Sequence, residues 1–237
     1  IFLFFKINFV MIKYNILDKQ RMDIRGLSSD KSWDYENAYY WFSPYNRIAK
    51  QISQWEIYNQ TVKIPGDILE LGVLKGASLI RWATFREMIE NSYSRKIIGF
   101  DAFGEFPIHN NADADDRKFI SDHDEYAGNG LDIDTLTQVL GNKGFKNIEL
   151  RKGDVFETIP KYLEKNPHTK ISLLHLDMDT YHPTAFALDK LWDRVSSGGV
   201  VVIDDYNSIA GATNAVDEFI VKRNLKIELK KASYYSV

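Results

Sequence analysis

The chain contains no cysteine. That excludes disulfides and thiolate metal centres, fits a reducing compartment, and leaves any metal to oxygen or imidazole ligands. Basic charge is also scarce, with 30 Lys and Arg against 33 Asp and Glu and a formal net charge of -3. Duplex-binding proteins neutralise phosphates with clustered Lys and Arg, so no nucleic-acid partner is expected. No apolar run reaches membrane-spanning length. The greasiest stretch, "IFLFFKINFVMI", is too short, is broken by Lys6 and Asn8, and precedes no small-residue cleavage site. Neither a spanning helix nor a secretory signal fits it. Met11 leaves two even readings of residues 1–10: upstream sequence carried into the chain, or an edge strand or packing arm. Nothing repeats at solenoid period. A soluble, cytoplasmic protein with no membrane partner is the expectation.

What is present is enough for a sizeable core, since 44% of the 237 residues are hydrophobic. The organisation expected is an N-terminal segment at 1–65 and one domain at 66–237. From Gly66 onward, short β-branched runs alternate with helical patterns. Strands are expected at "GDILELGV", "KIIGFDAF", "NIELRKGDV", "ISLLHLDMD" and "GVVVIDDY". Helices are expected at "GASLIRWATFREMIENSY", at "DIDTLTQVLGNKGF" with Asp132 or Asp134 as its cap and Gly141 or Gly144 near its stop, and at "PTAFALDKLWDRVSSGG". One more helix and one or two strands should follow "GATNAVDEF". Such alternation implies an α/β fold, a doubly wound, mostly parallel sheet covered on both faces. The polar stretch "HNNADADDRKFISDHDEYAGNG" reads as a solvated loop or a flap. The aromatic "WDYENAYYWFSPYNRI" reads as core or interface packing.

In doubly wound sheets ligands gather at the carboxyl ends of the strands. Here Glu70, Asp101, Asp154, Asp177 and Asp204 all fall at or near such ends. The first glycine turn, "LELGVLKGAS", lacks the second glycine of the dinucleotide fingerprint and carries Leu74 there, which disfavours a pyrophosphate ligand. Gly72 and Gly76 instead make room for a carboxylate and an amine near the helix start, and Glu70 suits a cationic ligand. Asp101 is placed to accept from a ribose diol, and Asp154 to hold an adenine amino group. An adenosine with an amino-acid tail is S-adenosylmethionine.

Side chains two positions apart in a strand share a face, so Asp177 and Asp179 are expected to point into the same space. Asp177, Asp204 and Asp205 offer hard oxygen ligands that select Mg2+ or another hard divalent cation. Asp204 and Asp205 point to opposite sides of an ideal strand, so the chain must leave strand geometry for both to reach one ion. Asp179 is then the general base for a hydroxyl proton, or alternatively the cap of the helix entered at "TYHPT". His175 alternates with apolar strand residues and reads as packed; His182 is a second candidate base. Rival readings are a metal-dependent hydrolase or nucleotide-sugar enzyme, a methyltransferase for catechol-type diols, and a non-catalytic binding or assembly protein.

In this order, "DILELGVLKGASL", "IGFDAFGEFP", "KGDVFETIP", "LLHLDMDTYHPTAFALDKLWDRVSSGGVVVIDDY" and "AVDEF" resemble the macrocin O-methyltransferase family. Its members are S-adenosylmethionine- and magnesium-dependent enzymes that methylate sugar hydroxyls of macrolide and aminocoumarin antibiotics. The resemblance runs from Gly66 to the end and implies the class I S-adenosylmethionine-dependent methyltransferase (Rossmann-like) fold. It implies cofactor contacts from Glu70, Leu71, Gly72, Gly76, Ser78, Asp101, Ala102, Phe103 and Asp154, metal ligands Asp177, Asp204 and Asp205, and Asp179 as base. The acceptor it implies is a small-molecule glycoside or nucleotide sugar. The N-terminal part, which carries no motif of the family, is expected to close the site or form homo-oligomer contacts. The stop at "YYSV" is expected to leave a final antiparallel pairing incomplete.

Overall fold

The computed structural model describes residues 21–105, 117 and 128–232. The "IFLFFKINFVMI" stretch, most of the acidic segment 109–130 and the terminal "YYSV" lie outside them. The chain divides into two compact units between Phe42 and Ser43.

In the first unit, β1 (Asp23–Ile24) pairs antiparallel with β2 (Leu27–Ser28). Arg25 and Gly26 between them both have positive φ, 50° and 79°, the backbone demanded by a two-residue hairpin turn. The helix α1 (Ser32–Phe42) follows and buries none of its side chains, so its aromatic residues do not form a core here.

The second unit opens with α2 (Tyr45–Thr61), entered from Pro44. The order is then β3 (Asp67–Leu71), α3 (Ala77–Ile89), β4 (Ile97–Asp101), α4 (Ile133–Asn142), β5 (Ile148–Lys152), α5 (Val155–Lys165), β6 (Ile171–Leu176), α6 (Tyr181–Leu191), β7 (Val195–Ile203) and α7 (Ala210–Lys222). The five strands lie side by side as β5, β4, β3, β6, β7, every pair parallel. The chain steps outward from β3 to β5, then returns to the far side of β3 for β6. That reversal puts a crevice over the carboxyl ends of β3 and β6.

Alternation along the strands sorts the two faces. Leu69, Leu71, Ile98, Phe100, Leu174 and Leu176 pack with α5, α6 and α7 residues such as Ile159, Leu188 and Phe219. Glu70 and His175 point to the opposite face, where Ser78 and Trp82 of α3 meet them. β3, β4 and β6 are buried on both faces, which is why they read as largely apolar runs.

Asp132 caps α4, accepting from Thr135 N at 2.8 Å, and Gly144 at φ 75° follows its end. One helix absent from the sequence reading is α5, capped by Asp154. Its Pro160 sits in the interior, where proline forgoes a backbone bond and masks the helical signal. The expected helix through "VSSGG" is corrected as well. α6 stops at Leu191, and Val195 already pairs with Ile171 in the sheet, ahead of a register shift before Val200 where Gly198 has φ 81°. Among the described residues no strand follows α7, and no helix is long and apolar enough to cross a membrane.

Candidate active site

A cavity of about 470 Å³ opens over the crevice, within the usual size for a small-molecule site. Gly72, Ser78, Asp101, Ala102 and Asp154 line one side, and Asp177, Asp179, Asp204 and Asp205 the other. Glu70, Leu71, Gly76 and Phe103, also expected at a cofactor, do not line it.

The two sides are locked together through Gly72. Its φ is 88°, and a Cβ built there would lie 1.6 Å from the carbonyl oxygen of Asp177. Only glycine lets the β3 turn approach the end of β6 this closely. The register continues the sheet past its last residues: Asp177 N donates to Leu71 O at 2.8 Å, and Asp204 N to Leu176 O at 3.0 Å.

Asp101 holds the same turn from β4. One carboxylate oxygen accepts from Val73 N (2.7 Å) and Leu74 N (2.9 Å), the other from Phe103 N (2.6 Å). Leu74 occupies the left-handed region, φ 51°, at the position where a dinucleotide site carries glycine. Asp154 accepts from Phe156 N at 2.9 Å as the α5 cap and lines the cavity too. Glu70 is fully buried and accepts from the Ser78 hydroxyl at 2.7 Å.

β6 ends at Leu176 and β7 at Ile203, so none of the four aspartates obeys strand alternation. They converge through turns instead. Asp179 has φ 62°, a left-handed conformation Asp tolerates better than most residues. Thr180, not Asp179, holds the cap position of α6. Beyond Ile203 the chain turns, and among the described residues Asp204 and Asp205 fall in two different clusters of ligand-capable groups rather than one. Ligand-capable atoms of Asp177, Asp179 and Asp205 lie within 4.8 Å of one another, and so do those of His175, Asp177 and Asp204. Asp177 is common to both groups.

The electrostatics follow from this crowding. Burial and the neighbouring Asp204 push Asp177 up to about 8. Burial, Asp179 and Asp177 push Asp205 up to about 9. Burial also acts to raise Asp204, but His175 and Lys50 outweigh it and hold its carboxyl below the usual carboxylate range. Lys50 reaches from α2 and places Nζ 2.5 Å from Asp204 Oδ2; Asp177 and Asp204 overcome its burial and raise it. Crowded carboxylates that hold protons at neutral pH are a donor set that an oxygen-seeking divalent cation would relieve.

Sequence reading missed Lys50 and Arg47, both cavity-lining, and Arg81, which lines it while bonded to Gln54. Arg47 and Lys50 are three apart on one helical face, the only signal available. His182 has no place in the cavity lining, whereas His175 lies buried beneath it, in contact with Asp204. The buried cations Arg86 and Arg95 are engaged elsewhere: Arg86 donates to Arg95 O and Asn147 O and pairs with Glu87, and Arg95 donates to Thr61 O and Val62 O and pairs with Glu90.

A family model described as Macrocin-O-methyltransferase matches residues 46–237, beginning within α2 and ahead of Gly66. The 8-demethyl-8-(2,3-dimethoxy-alpha-L-rhamnosyl)-tetracenomycin-C 4'-O-methyltransferase of Streptomyces olivaceus is 30% identical over 166 residues, 66% of this chain and 58% of that protein. Mycinamicin III 3''-O-methyltransferase of Micromonospora griseorubida is 27% identical over 173 residues, 70% of this chain and 65% of that one. The chain thus spans about three fifths of the length of these curated relatives. Among solved structures, the O-methyltransferase NovP superposes with a TM-score of 0.70 at 23% identity, covering 79% of this chain and 77% of that one. CalS11, a calicheamicin methyltransferase, superposes at 0.62 and 24% identity, covering 84% and 80%. The fold is that of class I S-adenosylmethionine-dependent methyltransferases.

Proposed function

The chain belongs to the Macrocin-O-methyltransferase family, and from that premise we propose that it methylates a sugar hydroxyl of a glycoside or nucleotide sugar. In this reading S-adenosylmethionine occupies the side of the cavity formed by Gly72, Ser78, Asp101, Ala102 and Asp154. Asp177, Asp204 and Asp205 hold a hard divalent cation, Mg2+ by choice of donors. The observation that carries the proposal is that the acids after β6 and β7 and the turn held by Asp101 open into one cavity. The S. olivaceus relative, named for methylating a rhamnosyl-bearing molecule, supports a glycosyl acceptor.

When bound, S-adenosylmethionine supplies a transferable methyl on a sulfonium, and the divalent cation supplies positive charge that makes a sugar hydroxyl more acidic. The remaining work falls to the chain. Asp101 and Gly72 hold the turn against the end of β6, so donor and acceptor sides keep a fixed separation. Asp179 takes the hydroxyl proton on a carboxylate oxygen, a role worth about 10²- to 10⁴-fold for a well-placed base. Lys50 keeps Asp204 ionised, and the packed floor keeps the acids from splaying. Orientation within the cavity accounts for much of the remaining acceleration.

The test is incubation with S-adenosylmethionine, Mg2+ and a panel of nucleotide sugars and glycosides, read by mass spectrometry. A gain of one methyl on a sugar, lost with EDTA, is expected. Stoichiometric failure to bind labelled S-adenosylmethionine would instead favour a hydrolase.

A further inference from the structure

A glycine turn that leads into a helix commonly receives an anion on its backbone N–H groups. In the turn between β3 and α3 those of Gly72, Val73, Leu74 and Gly76 are already spent. Gly72 N donates to Phe100 O at 2.9 Å and Gly76 N to Val73 O at 2.8 Å, while Val73 N and Leu74 N both donate to Asp101. Ser78, in the first turn of α3, gives its hydroxyl proton to Glu70 at 2.7 Å, so toward the cavity it can only accept. The carboxylate of S-adenosylmethionine, which the glycine spacing places near this helix start, therefore needs a side-chain donor.

Arg81 stands three residues beyond Ser78 on the same face of α3, and both line the cavity. Its Nη1 donates to Gln54 Oε1 of α2, and Gln54 is 3% exposed, so a buried amide anchors the guanidinium. Arg81 also borders a smaller groove lined by Gln51, Ile52, Trp55 and Phe85, none of them charged. The cavity is thus the side from which an anionic ligand reaches it. The other cations of the lining are placed differently: Lys50 is committed to Asp204, 2.5 Å away, and Arg47 and Lys75 are exposed, whereas Arg81 is half-buried.

We infer that Arg81 reads the carboxylate of S-adenosylmethionine, receiving it as a guanidinium–carboxylate pair at the wall that α2 and α3 give the cavity. This rests on the reading that the cavity binds S-adenosylmethionine. A guanidinium offers a carboxylate two parallel N–H donors, and a fork anchored by Gln54 loses less freedom on binding than a lysine on a flexible stem. The lining is otherwise rich in acids, among them Asp101, Asp154, Asp177 and Asp179, so a ligand carboxylate needs a fixed cation beside it.

The test measures, by isothermal titration calorimetry, the binding of S-adenosylmethionine and of decarboxylated S-adenosylmethionine to the wild type, Arg81→Met, Arg81→Lys and Lys75→Met. The two ligands differ only in the carboxylate. The wild type is expected to prefer S-adenosylmethionine by about 10- to 100-fold, the range of a charge-assisted hydrogen-bonded pair. Arg81→Met should erase that preference by weakening S-adenosylmethionine alone. Arg81→Lys, which keeps the charge without the fork, should restore part of it, and Lys75→Met should keep it whole. A preference that survives Arg81→Met, or vanishes in Lys75→Met, overturns the inference. So does an equal loss of both ligands in Arg81→Met, the mark of a merely structural residue. Should Arg81→Met not fold, Arg81→Lys carries the comparison, and an undiminished preference there overturns the inference. Wild type that binds both ligands alike overturns it and leaves the cofactor reading standing; wild type that binds neither defeats that reading as well.

Discussion

At the scale of single residues, two positions separate chemistry from architecture. Asp179 is reached through a left-handed turn and stands within 4.8 Å of Asp177 and Asp205. Asp179→Asn keeps size and polarity but removes the proton acceptor, so turnover is expected to fall by about 10²-fold or more. Calorimetry should find S-adenosylmethionine binding intact; unchanged turnover would take the role from Asp179. Gly72 is architectural. A methyl group there collides with the backbone of Asp177 and must also adopt φ 88°. Left-handed backbone costs about 1–2 kcal/mol for a residue with Cβ, and forced overpacking about 1–3 kcal/mol more. Gly72→Ala should therefore lower the melting temperature by many degrees and abolish cofactor binding, measured by scanning calorimetry and equilibrium dialysis.

At the scale of elements, Asp101, Asp154, Asp177 and Asp204 sit where a strand gives way to a turn. Asp154 illustrates the double duty this imposes, since it caps α5 and faces the cavity. Asp154→Ala should cost about 1 kcal/mol of stability as a lost cap and weaken S-adenosylmethionine binding. Asp154→Ser, which can still cap, should restore the stability and not the affinity, as denaturant titration and calorimetry on both variants would reveal. The parallel sheet was legible in the sequence because its central strands, β4, β3 and β6, are largely apolar and acids fall at or near the strand ends. The convergence of Asp177 with Asp179 was legible for an incomplete reason: strand alternation suggests it, but the strand stops at Leu176 and turns do the work. Other parts were not legible. α5 was hidden by Pro160. Lys50 meets Asp204 across 154 positions of sequence, and no local pattern encodes a contact of that separation. His175 looked like packing because its neighbours along β6 are apolar; the acids that claim it come from β3 and from beyond β7.

At the scale of the whole molecule, proton and cation occupancy should be linked. In the cation-free protein Asp177 and Asp205 hold protons up to about 8 and 9, whereas an unfolded aspartate loses its proton near about 3.9. Between those limits the folded state binds more protons than the unfolded one, so stability falls as pH rises. His175, held protonated to about 10, adds to the same slope, because its stabilising charge is fully present below the unfolded value of about 6.5 and fades as pH climbs. Cation binding needs ionised carboxylates and runs the other way, its affinity rising with pH. The difference in melting temperature between Mg2+-saturated and EDTA-treated protein should widen from pH 6 to pH 9; a constant difference would mean the acids and the ion do not share a site. The most direct measurement is anomalous diffraction from crystals grown with Mn2+ and S-adenosylhomocysteine. One manganese peak within coordination distance of Asp177, Asp204 and Asp205, beside the bound nucleoside, is the expected result. A peak elsewhere, or none with the nucleoside in place, would contradict it.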